Sequence, residues 1–178
     1  MENSTGTIIG LHPLTETSLI VVWCSAEAGI VRTAAKGARR PGSAFAGKLD
    51  LFFEAEFSYA LSRRGDLHGL REVQLRDPRL GLRESYVRTL SAAYFVRLIE
   101  LVAEPEHPIP GLHDLLGRGL GYLTRSDPTL RALHHFEAQL AEQSGMGGAA
   151  SPAQVIRESY GRLPAQRDEL LRLLGERP

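Results

Sequence analysis

In the first eighty positions, apolar residues fall in short runs separated by turn-forming residues, and this pattern predicts strands rather than helices. Thr7–Leu11 is the first predicted strand, Ser18–Ser25 the second and Gly29–Ala35 the third. Glu27, Ala28 and Gly29 supply a tight connection, so the second and third strands are expected to form a hairpin. From Leu49 to Leu61 one parity carries Leu51, Phe53, Ala55, Phe57, Tyr59 and Leu61, while the other carries Asp50, Glu54, Glu56 and Ser58. That alternation predicts one long, half-buried strand with its carboxylates facing water. Arg63-Arg64-Gly65-Asp66 reads as a turn, and Leu67–Leu75 as a fifth strand ending before Asp77-Pro78. Five short antiparallel strands in so little chain suit a small closed barrel, which leaves no exposed edge.

Beyond Pro78 the apolar period lengthens to that of a helix. Leu82, Tyr86, Leu90, Tyr94, Leu98, Leu101 and Val102 share one face of a segment that Pro105, Pro108 and Pro110 bring to a stop. A second helix is predicted over Leu112–Leu123. A third is predicted from Asp127-Pro128, an acceptor followed by a residue suited to the first turn, and ends before Gly145. Gly145–Ala150 reads as a flexible connector, Ser151-Pro152 opens a fourth helix, and Ala165–Leu174 forms a last short one. The expected fold is therefore α+β, with a barrel domain over residues 1–79 and an all-helical domain over residues 80–178.

Charge narrows the functional classes. Lysine and arginine number 21, as do aspartate and glutamate, so the chain of 178 residues carries no global field toward nucleic acid or membrane. Any polyanion affinity must come from a local patch. Cys24 is the single cysteine and lies in an apolar run, which excludes an internal disulfide and a thiolate-rich zinc site. The longest apolar run, Leu19–Cys24, is far shorter than the roughly 20 residues of a membrane span. With a polar N-terminus that lacks the features of a signal peptide, the expectation is a soluble cytoplasmic protein with no membrane partner.

The patch is found between Ala28 and Lys48, where Arg32, Lys36, Arg39, Arg40 and Lys48 occur with no acidic residue. Gly37 and Gly42 permit close backbone approach, and the cations suit phosphate oxygens. Phe45 and Phe52 are candidate base-stacking faces beside them, whereas Trp23 is expected in the core. Were all five cations to touch phosphate, binding to a single strand would fall with salt at a log–log slope of about −3.5. Enzymatic signals are weak. His113-Asp114 and His134-His135 are sequence neighbours and point in different directions on a helix, so no metal site is expected. No phosphate-binding glycine loop, nucleophile elbow or magnesium-holding carboxylate cluster is present in the sequence.

Thr15-Glu16-Thr17-Ser18-Leu19-Ile20-Val21 before the second strand and Ala35-Lys36-Gly37-Ala38-Arg39-Arg40-Pro41 after the third occur in an order that resembles the RecO family of DNA repair proteins. The resemblance runs from Thr7 to about Leu123. It implies an OB-type barrel followed by a helical domain, and a non-catalytic recombination mediator that binds single- and double-stranded DNA. It further implies strand annealing, RecA loading, a nucleoid-associated location, and partnership with RecR and with the acidic C-terminal tail of the single-stranded-DNA-binding protein. Arg118, Arg125 and Arg131 are the candidate receivers of that tail. Many family members carry four zinc-binding cysteines in the helical domain; they are missing here, so no cofactor is expected. After Leu140 the sequence departs from the family pattern and reads as a shortened or divergent member. The competing reading is a protein-interaction adaptor that keeps the barrel but not DNA binding; a nuclease would require carboxylates assembled across strands.

Overall fold

A computed structural model describes residues 1–105, 107–146 and 151–175. Residues 1–79, with Glu104, Pro105, His107 and Pro108, form one compact unit, and residues 80–103 and those from 109 onward form a second.

The first unit is a closed barrel of five strands: β1 (Glu2–Pro13), β2 (Leu19–Ser25), β3 (Gly29–Ala35), β4 (Glu54–Ala60) and β5 (Leu67–Asp77). Around the barrel the order is β1-β2-β3-β5-β4, and β4 closes back on β1. All neighbours are antiparallel except β3 and β5, which pair parallel through Arg32–Ala34 and Leu67–Gly69. The predicted hairpin is present from Leu19↔Ala35 to Ser25↔Gly29. Gly29 closes it at φ 69°, a backbone conformation side chains other than glycine's rarely adopt, and a Cβ there would also meet the Pro108 backbone at 3.0 Å.

Inward-facing residues fill the barrel completely. Ile8, Val21, Trp23, Val31, Ala55 and Phe57 are all but inaccessible to solvent. Trp23 stacks on Phe57 with centroids 4.0 Å apart, Phe57 on Tyr59 at 5.6 Å, and Tyr59 on His68 at 5.3 Å, so one aromatic row runs through the core. The indole N–H of Trp23 donates to Thr33 Oγ1 at 2.9 Å, which satisfies the buried polar tip.

Three strands differ from the sequence expectation by more than one residue, the fifth by running on to Asp77 rather than ending at Leu75. β1 begins at Glu2 rather than Thr7, because Asn3, Ser4 and Thr5 pair with β4 despite their polarity. β4 begins at Glu54 rather than Leu49: Phe52 takes φ 72°, which ends extended geometry, and Leu51 lies outside the strand, largely exposed. The alternation that suggested a longer strand continues into a loop.

In the second unit a 3-10 turn (Leu80–Arg83) precedes α1 (Tyr86–Val102), α2 (Leu112–Arg125), α3 (Leu130–Gln143), α4 (Pro152–Tyr160) and α5 (Gln166–Leu174). Leu82, expected within the first helix, sits in the turn, and Ser85 caps α1 by accepting from the Arg88 amide. Thr129, not Asp127, caps α3, accepting from Ala132 N, so helix geometry starts after Pro128. Ser151 caps α4 as predicted, with Pro152 in the first turn. α1 packs on α2 and α5, and α3 on α2 and α4, burying Leu98, Leu116, Leu120, Leu133, Leu140 and Ile156. The predicted connector at 145–150 falls largely on residues 147–150, outside the described residues.

Candidate nucleic-acid interface

β3 and β4 are joined by the long segment that carries most of the sequence-predicted cations. Its backbone folds as a succession of tight turns: Arg40 N donates to Gly37 O at 3.0 Å, Ser43 N to Arg40 O at 3.1 Å, Ala46 N to Ser43 O and Lys48 N to Phe45 O, each at 3.0 Å. Both ends are fixed. At the start, Gly37 N donates to Ser18 Oγ at 3.2 Å and Arg39 N to Thr17 O at 2.9 Å, tying the segment to the turn between β1 and β2. At the end, Phe52 N donates to Ile8 O at 2.8 Å and Ile8 N to Phe53 O at 2.9 Å, tying it to β1.

Within that frame the cations have different fates. Lys36, Arg39 and Arg40 are exposed, and among the described residues none of them has a carboxylate within ion-pairing distance. Lys48 is half-buried and likewise lacks a carboxylate partner. Arg32 differs: it lies on β3 and donates through Nη1 to Asp66 Oδ2 at 2.9 Å in the β4–β5 turn. That hydrogen bond, reinforced by the guanidinium charge, holds the Asp66 carboxyl below its usual pKa. Arg32 is thus occupied, and four cations of the original five remain without an acidic partner.

The aromatic candidates also separate. Phe45 is half-buried and has no ring partner among the described residues. Phe52 is corrected: only 8% of its surface is exposed, because its positive φ turns the chain inward at the foot of β4. A buried ring offers no face to a base. Trp23 is wholly inside, as expected.

The predicted water-facing carboxylates of β4 keep contact with water and also bind arginines. Glu56 pairs with Arg76, and Glu54 with Arg79, whose side chain is 2% exposed. Arg79 Nη1 also donates to Thr7 Oγ1 at 3.1 Å and Phe52 O at 2.7 Å. Burial lowers the Arg79 pKa, opposed by the charges of Glu54 and Asp77. Sequence reasoning missed Arg79 because its partners lie more than 20 residues away and only the closed barrel brings them together.

In the helical unit a recess of about 460 Å³ opens between α2 and α3. Phe95 and Phe136 stack within it at 3.9 Å, and Leu115 and Ala132 add apolar wall. Arg118 and Arg131 both line it, Arg118 held by Asp114 at 2.8 Å and Arg131 exposed. Arg125, the third candidate, is exposed at the end of α2 and lies outside this recess. Among the described residues no group of three or more histidine, cysteine or acidic side chains is placed to hold a metal ion, and no helix is long and apolar enough to cross a membrane. Burial pushes the Cys24 thiol up to about 12, far from a reactive thiolate.

A filled five-stranded barrel with this strand order, followed by helices, defines the class: an OB-type domain joined to a helical one. Residues 1–79 match the family model for the N-terminal domain of recombination protein O. A DNA repair protein RecO of Vibrio cholerae is 33% identical over 181 aligned positions, covering 94% of this chain and 73% of that protein. Its namesake from Alkaliphilus metalliredigens is 31% identical over 132 residues, covering 74% of this chain and 53% of that protein, and that from Rhodopirellula baltica is 29% identical over 141. The chain belongs to the RecO family, and its matches span from about half to nearly three quarters of the length of these relatives.

Proposed function

We propose that this chain acts in DNA repair and recombination as a non-catalytic mediator. In this reading it binds single- and double-stranded DNA by the sugar-phosphate backbone, without sequence preference, and promotes annealing and RecA loading. The observation that carries the proposal is the exposure of Lys36, Arg39 and Arg40, without carboxylate partners among the described residues, on a barrel segment anchored at both ends. Anchoring lowers the conformational cost of binding, and unpaired cations release condensed counterions when they meet phosphate. Arg32 is engaged by Asp66, so four cations rather than five are available, and the expected salt slope on a single strand is about −2.8. Titration of a labelled oligonucleotide over a salt series tests this; a flat dependence overturns it.

The relatives' name supports the repair role, and the partners in this reading are RecR and the single-stranded-DNA-binding protein. The recess beside Arg118 and Arg131 has the chemistry for the latter's acidic tail: an apolar floor for a side chain and the Arg131 guanidinium for a carboxylate, with Arg118 already held by Asp114. A tail peptide that binds the protein, and binds Arg131→Ala several-fold more weakly, is the expected result. The adaptor reading predicts the converse pattern, in which RecR is retained on a column and DNA is not.

A further inference from the structure

A second recess, of about 560 Å³, lies on the barrel unit next to the far half of the cationic segment. Ala44, Phe45 and Lys48 line it from the segment, Glu27, hydrogen-bonded to Ser4, from the turn between β2 and β3, and strands β1, β4 and β5 supply the rest. Two consecutive polar rungs of the sheet contribute: Asn3, Ser58 and Glu72 pair across the three strands, as do Thr5, Glu56 and Gln74. Residues two apart on a strand share a face, so these six side chains belong to one face of the sheet.

Three features of the lining are unspent in the free protein. The Ser58 hydroxyl is buried, with its residue 6% exposed, and among the described residues it has no hydrogen-bond partner, a state that folded proteins seldom tolerate without a reason. Among the described residues the Glu72 carboxylate has no cationic partner, whereas Glu56 is taken by Arg76. Among the described residues the Phe45 ring, half-buried against the barrel core, has no stacked aromatic partner, although Phe57, Tyr59 and Trp23 are all stacked. Arg71 and Lys48, which have no acidic partner among the described residues, add two cations to the same lining.

An aromatic face, an acceptor, an unsatisfied hydroxyl and flanking cations are together the requirements of an unstacked nucleotide, and the volume is that of a small-ligand site. We propose that this recess takes one base of a single DNA strand, stacked on Phe45, and favours bases that carry an exocyclic amine. The preference follows from Glu72. A carboxylate accepts from the cytosine or adenine amino group and repels the thymine O4 in the same position. Lys48 and Arg71 take the flanking phosphates, continuing the track that begins at Lys36. The proposal rests on the reading that the barrel binds DNA, and adds a base preference to a contact otherwise blind to sequence.

Short oligo-dC and oligo-dT strands, titrated at one salt concentration, test it. Wild type is expected to bind oligo-dC about fivefold or more tightly than oligo-dT, and Glu72→Gln to bring that ratio to about one without lowering the thermal transition, since Glu72 is exposed. Phe45→Ala is expected to weaken both strands by about fivefold or more, the low end of aromatic base stacking. Equal affinity of wild type for the two strands, or a preference that survives Glu72→Gln, overturns the recess while leaving salt-dependent binding intact. Absence of any DNA binding by wild type overturns both this proposal and the reading beneath it.

Discussion

The guanidinium of Arg79 donates to the carbonyl oxygen of Phe52 at 2.7 Å, joining the end of β5 to the end of the cationic segment. Phe52 has φ 72°, and its carbonyl is held where a regular strand would not place it. Arg79 also reaches Thr7 on β1 and Glu54 on β4, so one buried side chain ties together three strands and the loop. Replacing it by alanine leaves the Phe52 carbonyl and Thr7 hydroxyl without their donor. The loss expected for Arg79→Ala is about 2–4 kcal/mol, toward the lower end because Glu54 retains access to water. Urea unfolding measures it, and Arg79→Lys, which cannot span all three acceptors, is expected to recover only part.

A comparable network fastens the last helix. Glu137, 1% exposed on α3, receives Arg167 Nε from α5 at 2.7 Å and the Tyr94 hydroxyl from α1 at 2.6 Å. Burial, and then the negative charge of Glu137, push the Tyr94 phenol well above its ordinary pKa. Removal of the arginine strands a carboxylate in the core, so Arg167→Ala is expected to cost about 3–5 kcal/mol. Arg167→Ala combined with Glu137→Leu is expected to be more stable than Arg167→Ala alone, and chemical denaturation of the two decides the point.

Cys24 reports on the barrel. With the thiol pushed up to about 12 and enclosed between strands, essentially none is thiolate at pH 8 in the folded protein. A thiol reagent is expected to label it only through unfolding, at a rate that rises with urea in step with loss of the Trp23 environment. Rapid stoichiometric labelling under native conditions would contradict the packing described.

The Arg32–Asp66 pair has a defined pH signature. Asp66 has a folded pKa below 3.8, so any stability it contributes is present above that value and lost as pH falls through the lower folded one. Both groups are well exposed, so the contribution is small. The carboxyl resonance of Asp66 is therefore the better observable: its midpoint is expected below 3.8 in wild type and higher in Arg32→Ala, where the backbone hydrogen bond still lowers it.

Much of this architecture is legible in the chain, for reasons that also explain where legibility ends. β3 matches its predicted bounds because Gly29 and the polar residues after Ala35 punctuate an apolar run. The β4 expectation ran five residues too far, since Leu51 and Phe53 keep the alternation while the positive φ of Phe52 breaks the strand, and parity does not register φ. The first five residues of β1 were missed because their polar side chains find partners elsewhere, Ser4 with Ser25 and Glu27 among them. Charge on the loop was visible as a run without acids, but the withdrawal of Arg32 depends on Asp66, 34 positions away. Phe45 and Phe52 look equivalent in sequence; only the tertiary fold turns one inward and leaves the other half-open.

Fluorescence anisotropy of a labelled single strand, compared at two salt concentrations between wild type and the Lys36→Ala, Arg39→Ala, Arg40→Ala triple variant, tests the cationic segment most directly. The variant is expected to bind more weakly, with its salt slope made shallower by about 2.1 as three phosphate contacts are lost. Its thermal transition is expected to be nearly unchanged, because the three side chains are exposed and unpaired. An equally tight complex with an undiminished slope would place the DNA contact elsewhere on the molecule.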